Sequence, residues 1–231
     1  MSAASVIRAA DGEAVAQRAA QMLAELLAST LASRGSAHLA ISGGTTPAGA
    51  YRTLSLPSWA GVEIWFADER CVGPSDPESN FLMAQQTLLD HSGEAIVHRI
   101  EGELGAEEAA SRYERLLRER VEGDPPVLDV ILLGIGEDGH TASLFPNFPQ
   151  LHPSGPACLA VHDSPKPPPD RVTLSLGVLN AARATILLAT GSGKAQALAG
   201  ALGDPDPHVP ASLLDPGHLT IIADAAALAD T

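Results

Sequence analysis

The stretch Val127-Leu128-Asp129-Val130-Ile131-Leu132-Leu133 decides the fold class. It is an almost unbroken apolar run with one aspartate, the pattern of a strand covered on both faces. It runs into Gly134-Ile135-Gly136-Glu137-Asp138-Gly139-His140, and then into T-A-S-L-F-P. Upstream, Val15, Ala19, Met22, Leu23, Leu26, Leu27 and Leu31 recur at three- and four-residue steps and predict a helix from Glu13 to Ser33. An apolar run from Ala37 to Ile41 follows, then the break S-G-G-T-T-P and a helix from Ala48. Val62 to Phe66 reads as a strand ending in A-D-E-R, Phe81 to Leu89 as a helix, Ile96 to Ile100 as a weak strand and Glu107 to Val121 as a charged amphipathic helix. Downstream, Asn147 to Asp170 is Pro-rich and reads as loop with one short strand at Cys158 to Val161. Strands at Val172 to Leu176 and Thr185 to Ala189, a helix after G-S-G-K and a last strand at Leu219 to Ala223 complete the chain. Strands alternating with helices require crossover connections. The expectation is an open, largely parallel, Rossmann-like α/β sheet flanked by helices on both faces. No composition shift interrupts the chain, and K-P-P-P reads as a surface loop, so residues 1–231 are taken as a single α/β domain.

The composition excludes several classes of function. Apolar residues make up 45% and charged residues 18% of the 231 residues, so the chain is globular rather than disordered. Asp plus Glu is 28 against Lys plus Arg 14, a net charge of −14 that argues against nucleic acid and anionic membrane as partners. No apolar run approaches the roughly 18 residues of a membrane span. The N-terminus lacks the basic segment and apolar core of a secretory signal, so a cytoplasmic setting is expected. Cys71 and Cys158 lie outside any C-x-x-C pair, and no two histidines have the spacing of a helical metal site. Neither a disulfide, nor a metal, nor another cofactor is expected.

Three unusual loops each follow a strand, where ligands bind in parallel α/β sheets. In Ser42-Gly43-Gly44-Thr45-Thr46-Pro47 the glycines let the backbone approach a ligand, and hydroxyls and free N–H groups face the next helix start, an arrangement suited to phosphate. Asp68-Glu69-Arg70 puts three charges directly after an apolar strand, and Arg70 is able to pair bidentately with phosphate or carboxylate. The third loop contains G-x-G-x-x-G, but Pro146 and Pro149 cut short the helix a dinucleotide site needs. It presents Glu137, Asp138 and His140 instead, and a carboxylate beside an imidazole fixes which nitrogen accepts a proton. Arg171 opens a strand, and Lys194 stands at a helix start, a position that favours a cation only when an anion binds there. Neither a Walker lysine followed by Ser or Thr nor G-x-S-x-G occurs, which argues against a nucleoside triphosphatase and a serine hydrolase.

Taken together, S-G-G-T-T-P, A-D-E-R-C-V followed by D-P-E-S-N-F, and L-L-G-I-G-E-D-G-H-T-A-S-L-F-P resemble the 6-phosphogluconolactonases, a family shared with glucosamine-6-phosphate deaminase/isomerase. The resemblance runs from the first helix to the last strand. It implies a carboxylic ester hydrolase that converts 6-phospho-D-glucono-1,5-lactone to 6-phosphogluconate in the oxidative pentose phosphate pathway, on an open α/β sheet and without a metal. It implies His140 as general base and Asp138 as its support, with Ser42, Gly43, Gly44 and the adjoining Thr45, together with Arg171 and Lys194, around the phosphate. Arg70 is placed at the same pocket, on phosphate or on lactone oxygen, and Asp68 either touches sugar hydroxyls or braces Arg70. On this reading Arg171 acts mainly on KM. The deaminase pattern is similar to G-x-G-x-D-G-H-I-G-F-N-E-P at the third motif and D-E-Y at the second; this chain has T-A-S-L-F-P and Arg70. Deaminase/isomerase activity, or a sugar-phosphate-binding module without turnover, are the alternatives. Monomer and dimer are left open.

Overall fold

A computed structural model describes residues 3–231, which form two sheets and the helices packed on them. The first half of the chain contributes β1 (Ser5–Ala9), α1 (Gly12–Arg34), β2 (Ala37–Ile41), α2 (Thr45–Thr53), β3 (Val62–Phe66), β4 (Asp68–Arg70), α3 (Asn80–Thr87), β5 (Ile96–His98) and α4 (Ala106–Arg120). The second half contributes β6 (Val130–Gly134), β7 (Cys158–Val161), β8 (Arg171–Leu174), α5 (Leu176–Ala181), β9 (Ala184–Ala189), α6 (Ala195–Ala201) and β10 (Leu219–Asp224). The large sheet has the order β1-β10-β9-β6-β2-β3-β5, with every neighbouring pair parallel. Every residue of β2 is buried, as is nearly all of β6, which requires cover on both faces. The fold class therefore agrees with the apolar runs that predict it.

Local chemistry explains the first crossover. The Asp11 side chain accepts the Ala14 N–H at 2.9 Å and caps α1, and Gly35 ends it in the left-handed region at φ 77. Val15, Ala19, Leu23 and Leu27 form its buried stripe. The strand β6 starts three residues later than its apolar run. Asp129 is the reason: its buried carboxylate accepts the His38 N–H at 2.8 Å and pairs with Arg34 and Arg183, which ties down the chain before β6 begins.

Three elements lie outside the sequence reading. The edge strand β1 and the six-residue α5 are too short to show a period. The third corrects an expectation: Asp68-Glu69-Arg70 is not a loop but β4, paired antiparallel with β8 so that Arg70 lies opposite Arg171. With β7 these strands form a small antiparallel sheet, order β4-β8-β7, beside the parallel one. Three charged residues carry no strand signal of their own, and the partner strand supplies the structure.

Strand order reverses between β2 and β6. The next strand after β2 is β3, on one side, and β6 is followed in the sheet by β9, on the other. Connections that leave two adjacent strands in opposite directions open a crevice beyond their carboxyl ends. Two buried tyrosines hold the neighbouring strand ends rigid. Tyr51 Oη accepts the Ser42 N–H at 3.0 Å and donates to the Ser42 carbonyl at 2.9 Å. Tyr113 Oη does the same for Phe66 at 2.6 and 3.1 Å.

Candidate active site

The loops after β2 and β6 and the strand β4 converge on one cavity of about 320 Å³. Its first wall is Ser42-Gly43-Gly44-Thr45-Thr46. Gly44 precedes α2 without a side-chain cap, and the first turn of α2 holds no acidic residue, so its N–H groups are open to an anion. The Ser42 hydroxyl is buried and has no hydrogen-bond partner, which leaves it available to a bound group. Gly43 is held close to α3: a Cβ there would stand 2.0 Å from Asn80 Oδ1.

Asn80 is a site residue that the sequence reading missed. Its side-chain amide donates to the Asp68 carbonyl at 2.9 Å and to Asp68 Oδ1 at 3.1 Å, and it lines the cavity between Asp68 and Gly43. Glu69 seats it by accepting the N–H groups of Asn80 and Phe81 and the Ser79 hydroxyl. Burial pushes the Glu69 carboxyl up, against the pull of these hydrogen bonds. Asp68 Oδ2 accepts from Ser143 Oγ at 2.7 Å. Asp68 therefore braces Asn80 and Ser143, not Arg70; the Arg70 guanidinium turns to the Glu78 carbonyl at 2.5 Å, with the Glu78 carboxylate 3.9 Å away.

The second wall is the glycine loop after β6. His140 Nδ1 lies 2.5 Å from Asp138 Oδ1, and the imidazole stacks against Phe145 with centroids 4.8 Å apart. An ionised carboxylate only accepts, so Nδ1 carries the proton and Nε2 of the neutral ring keeps its lone pair. Burial pushes the Asp138 carboxyl up, but the hydrogen bond from His140 and the nearby positive charge of Lys166 pull the other way, and it lies well below the usual carboxylate range. His140 lines the cavity, whereas Asp138 stands behind it. The glycine spacing now has a reason unrelated to dinucleotides: a Cβ at Gly136 would stand 1.9 Å from His140 Nδ1 and 2.3 Å from Asp138 Oδ1.

The cavity is locally cationic in an acidic protein. Arg70, Lys166, Arg171 and Lys194 line it, against Asp68 as its one lining carboxylate among the described residues. Lys194 comes from the turn before α6, and the buried carboxylate of Asp224 holds that turn by accepting the Gly191 N–H at 3.0 Å. Arg171 is buried, and burial pushes its guanidinium down. It donates to the carbonyls of Lys166, Pro167 and Pro168 at 3.0 to 3.3 Å and lies over the Phe145 ring at 5.5 Å. The K-P-P-P segment is thus more than a surface loop, because Lys166 and Pro167 are part of the cavity wall. No group of three or more His, Cys, Asp or Glu side chains among the described residues is arranged to hold a metal ion.

Comparison with known proteins bears on the same residues. The profile of the family described as glucosamine-6-phosphate isomerases/6-phosphogluconolactonase matches residues 10–223. The 6-phosphogluconolactonase of Homo sapiens is 40% identical, over 98% of this chain and 90% of the human one. The chain belongs to this family. Among solved structures, the 6-phosphogluconolactonase from Trypanosoma cruzi superposes with a TM-score of 0.87 at 28% identity, covering 100% of this chain and 98% of that one. A monomeric glucosamine-6-phosphate deaminase also shares the fold, with a TM-score of 0.80 at 21% identity over 98% of this chain and 100% of its own. Both branches of the family thus use this architecture, and the choice between them rests on the side chains of the cavity.

Proposed function

We propose that this chain hydrolyses 6-phospho-D-glucono-1,5-lactone to 6-phospho-D-gluconate, the lactonase step of the oxidative pentose phosphate pathway, in the cytoplasm. The observation that carries the reading is that His140 and the Ser42–Thr46 loop line one cavity together with four cations. The phosphate occupies the open start of α2, between the Ser42 hydroxyl and the side chains of Arg171 and Lys194. Binding there orients the ring with its carbonyl toward His140. Nε2 takes a proton from water as the water oxygen attacks the lactone carbonyl carbon. The tetrahedral intermediate collapses by breaking the ring C–O bond, and Nε2–H returns its proton to the departing ring oxygen. The acid so formed ionises in water. Asp138 keeps Nδ1 protonated throughout and stabilises the transient imidazolium.

The deaminase branch is disfavoured by the residues after His140. The deaminase pattern continues to a Glu that assists ring opening, and here the same stretch reads T-A-S-L-F-P. A coupled assay decides the matter. Freshly made lactone is supplied with 6-phosphogluconate dehydrogenase and NADP at mildly acidic pH, where the background is slow. Turnover well above spontaneous hydrolysis is expected, with unphosphorylated gluconolactone much slower. Ammonia release from glucosamine 6-phosphate without lactone turnover would reject the proposal.

Gly136→Ala tests the placement of the base. The added methyl has no room beside the His140–Asp138 pair, so the ring must move, and displacement by about 1 Å costs about 10²-fold in kcat. Circular dichroism should show the fold intact. Wild-type kcat in this variant would mean that the ring position does not matter.

A further inference from the structure

Lys166 and Lys194 are the only lysines in the chain, the other 12 of its 14 Lys and Arg residues are arginine, and both lysines line the cavity. Lys194 comes from the turn before α6, whereas Lys166 sits at the His140–Asp138 pair. Its Nζ is 3.4 Å from His140 Nδ1 and 3.6 Å from Asp138 Oδ1. Nδ1–H donates to that carboxylate oxygen, and the ammonium forms an ion pair with the same oxygen, on the side of the ring that bears Nδ1 and not Nε2.

The segment that carries Lys166 is built to hold it there. Ser164 Oγ donates to the Lys166 carbonyl at 3.0 Å and accepts its N–H at 3.3 Å, and the Ser164 N–H donates to the Pro169 carbonyl at 2.9 Å. Arg171 takes the carbonyls of Lys166, Pro167 and Pro168. Three consecutive prolines restrict φ along the rest of the segment.

We infer that Lys166 is a positioning residue and the third member of the His140–Asp138 pair, holding the carboxylate in line with Nδ1 and opposing protonation of the imidazole so that His140 stays a free base while the lactone is turned over. The inference rests on the lactonase reading above. Its physical basis is a charge count. A lone carboxylate beside an imidazole favours the imidazolium, which has no lone pair for a water proton. With the ammonium on the same carboxylate, the resting group is neutral, and protonating the ring leaves a net positive charge close to a second cation. The groups that face His140 are Asp138 on its own loop, Lys166 from the β7–β8 loop and, across the cavity, Asp68 and Arg70 from β4, Arg171 from β8 and Lys194 ahead of α6. Of these, Lys166 is the cation in contact with the ring nitrogen.

The test is the pH dependence of kcat/KM for the lactone in wild type, Lys166→Met and Lys166→Arg, with ¹H NMR titration of the His140 ring in the same proteins without substrate. In Lys166→Met the acid limb is expected to move up by about one pH unit, with a matching shift of the ring titration. Activity at mildly acidic pH then falls about tenfold, a larger loss than on the alkaline plateau. Lys166→Arg keeps the charge and should keep the limb near its wild-type position. A Lys166→Met limb and ring titration superimposable on wild type would overturn the inference, as would a raised KM with an unmoved limb, which would make Lys166 a substrate ligand. A wild-type protein without lactonase activity would remove the lactonase reading, and the ring titration would still report whether Lys166 governs protonation of His140.

Discussion

Replacing His140 with Asn is expected to lower kcat by about 10²- to 10⁴-fold while KM stays within about threefold of wild type. Asn keeps a donor for Asp138 and fills part of the space against Phe145, but it offers no nitrogen lone pair to a water proton. The groups proposed to hold the phosphate come from other elements than His140: the Ser42–Thr46 loop after β2, Arg171 on β8 and Lys194 ahead of α6. Removing the imidazole leaves them in place, so substrate still binds and is still oriented. Residual turnover above the spontaneous rate measures what orientation alone contributes. Steady-state kinetics with fresh lactone, corrected for background hydrolysis, give both constants. A kcat within a few-fold of wild type would require a different base.

Arg171→Ala is expected to lower kcat/KM by about 10³-fold, divided between a KM raised at least about tenfold and a kcat reduced about tenfold. The KM part is the one the sequence suggests, since a cation is lost from the proposed phosphate site. The kcat part comes from the fold. The Arg171 guanidinium ties down the carbonyls of Lys166, Pro167 and Pro168 and lies over Phe145, whose ring in turn supports His140. Truncation frees the segment that carries Lys166 and removes the backing of the aromatic stack. Arg171→Lys separates the two roles, because it restores charge but lacks the planar fork whose Nε and Nη2 reach the three carbonyls. Its KM should recover in part while its kcat stays low. If Arg171→Ala raises KM alone, the bracing contributes nothing to turnover.

The glycine loops illustrate how far a sequence reading reaches. The third motif was legible as a strand end carrying Asp138 and His140, because Gly, Pro and apolar runs act within a few residues of themselves. The reason for Gly136 was not legible, since it depends on where the His140 ring folds back. Asn80 had only a weak signal: it follows Ser79, a helix cap, and looks like an ordinary first-turn residue. Its role at the cavity comes from Glu69 and Asp68 on β4, a strand the sequence does not announce. Lys166 carries a local signal, being one of two lysines in the chain and preceding three prolines, but nothing local ties it to His140.

The chain by itself determines the parallel α/β class, the helices of the first crossovers and the two loops that bear the phosphate-type turn and the histidine. Burial patterns and turn chemistry are properties of neighbouring residues, so they can be read in order along the chain. Folding alone decides that Asp68 meets Ser143, 75 residues away, that Arg70 lies opposite Arg171 and that a proline-rich hairpin swings Lys166 onto the Asp138 carboxylate. These contacts join side chains from distant strands. Their distances are set by strand order and register, which no local pattern encodes.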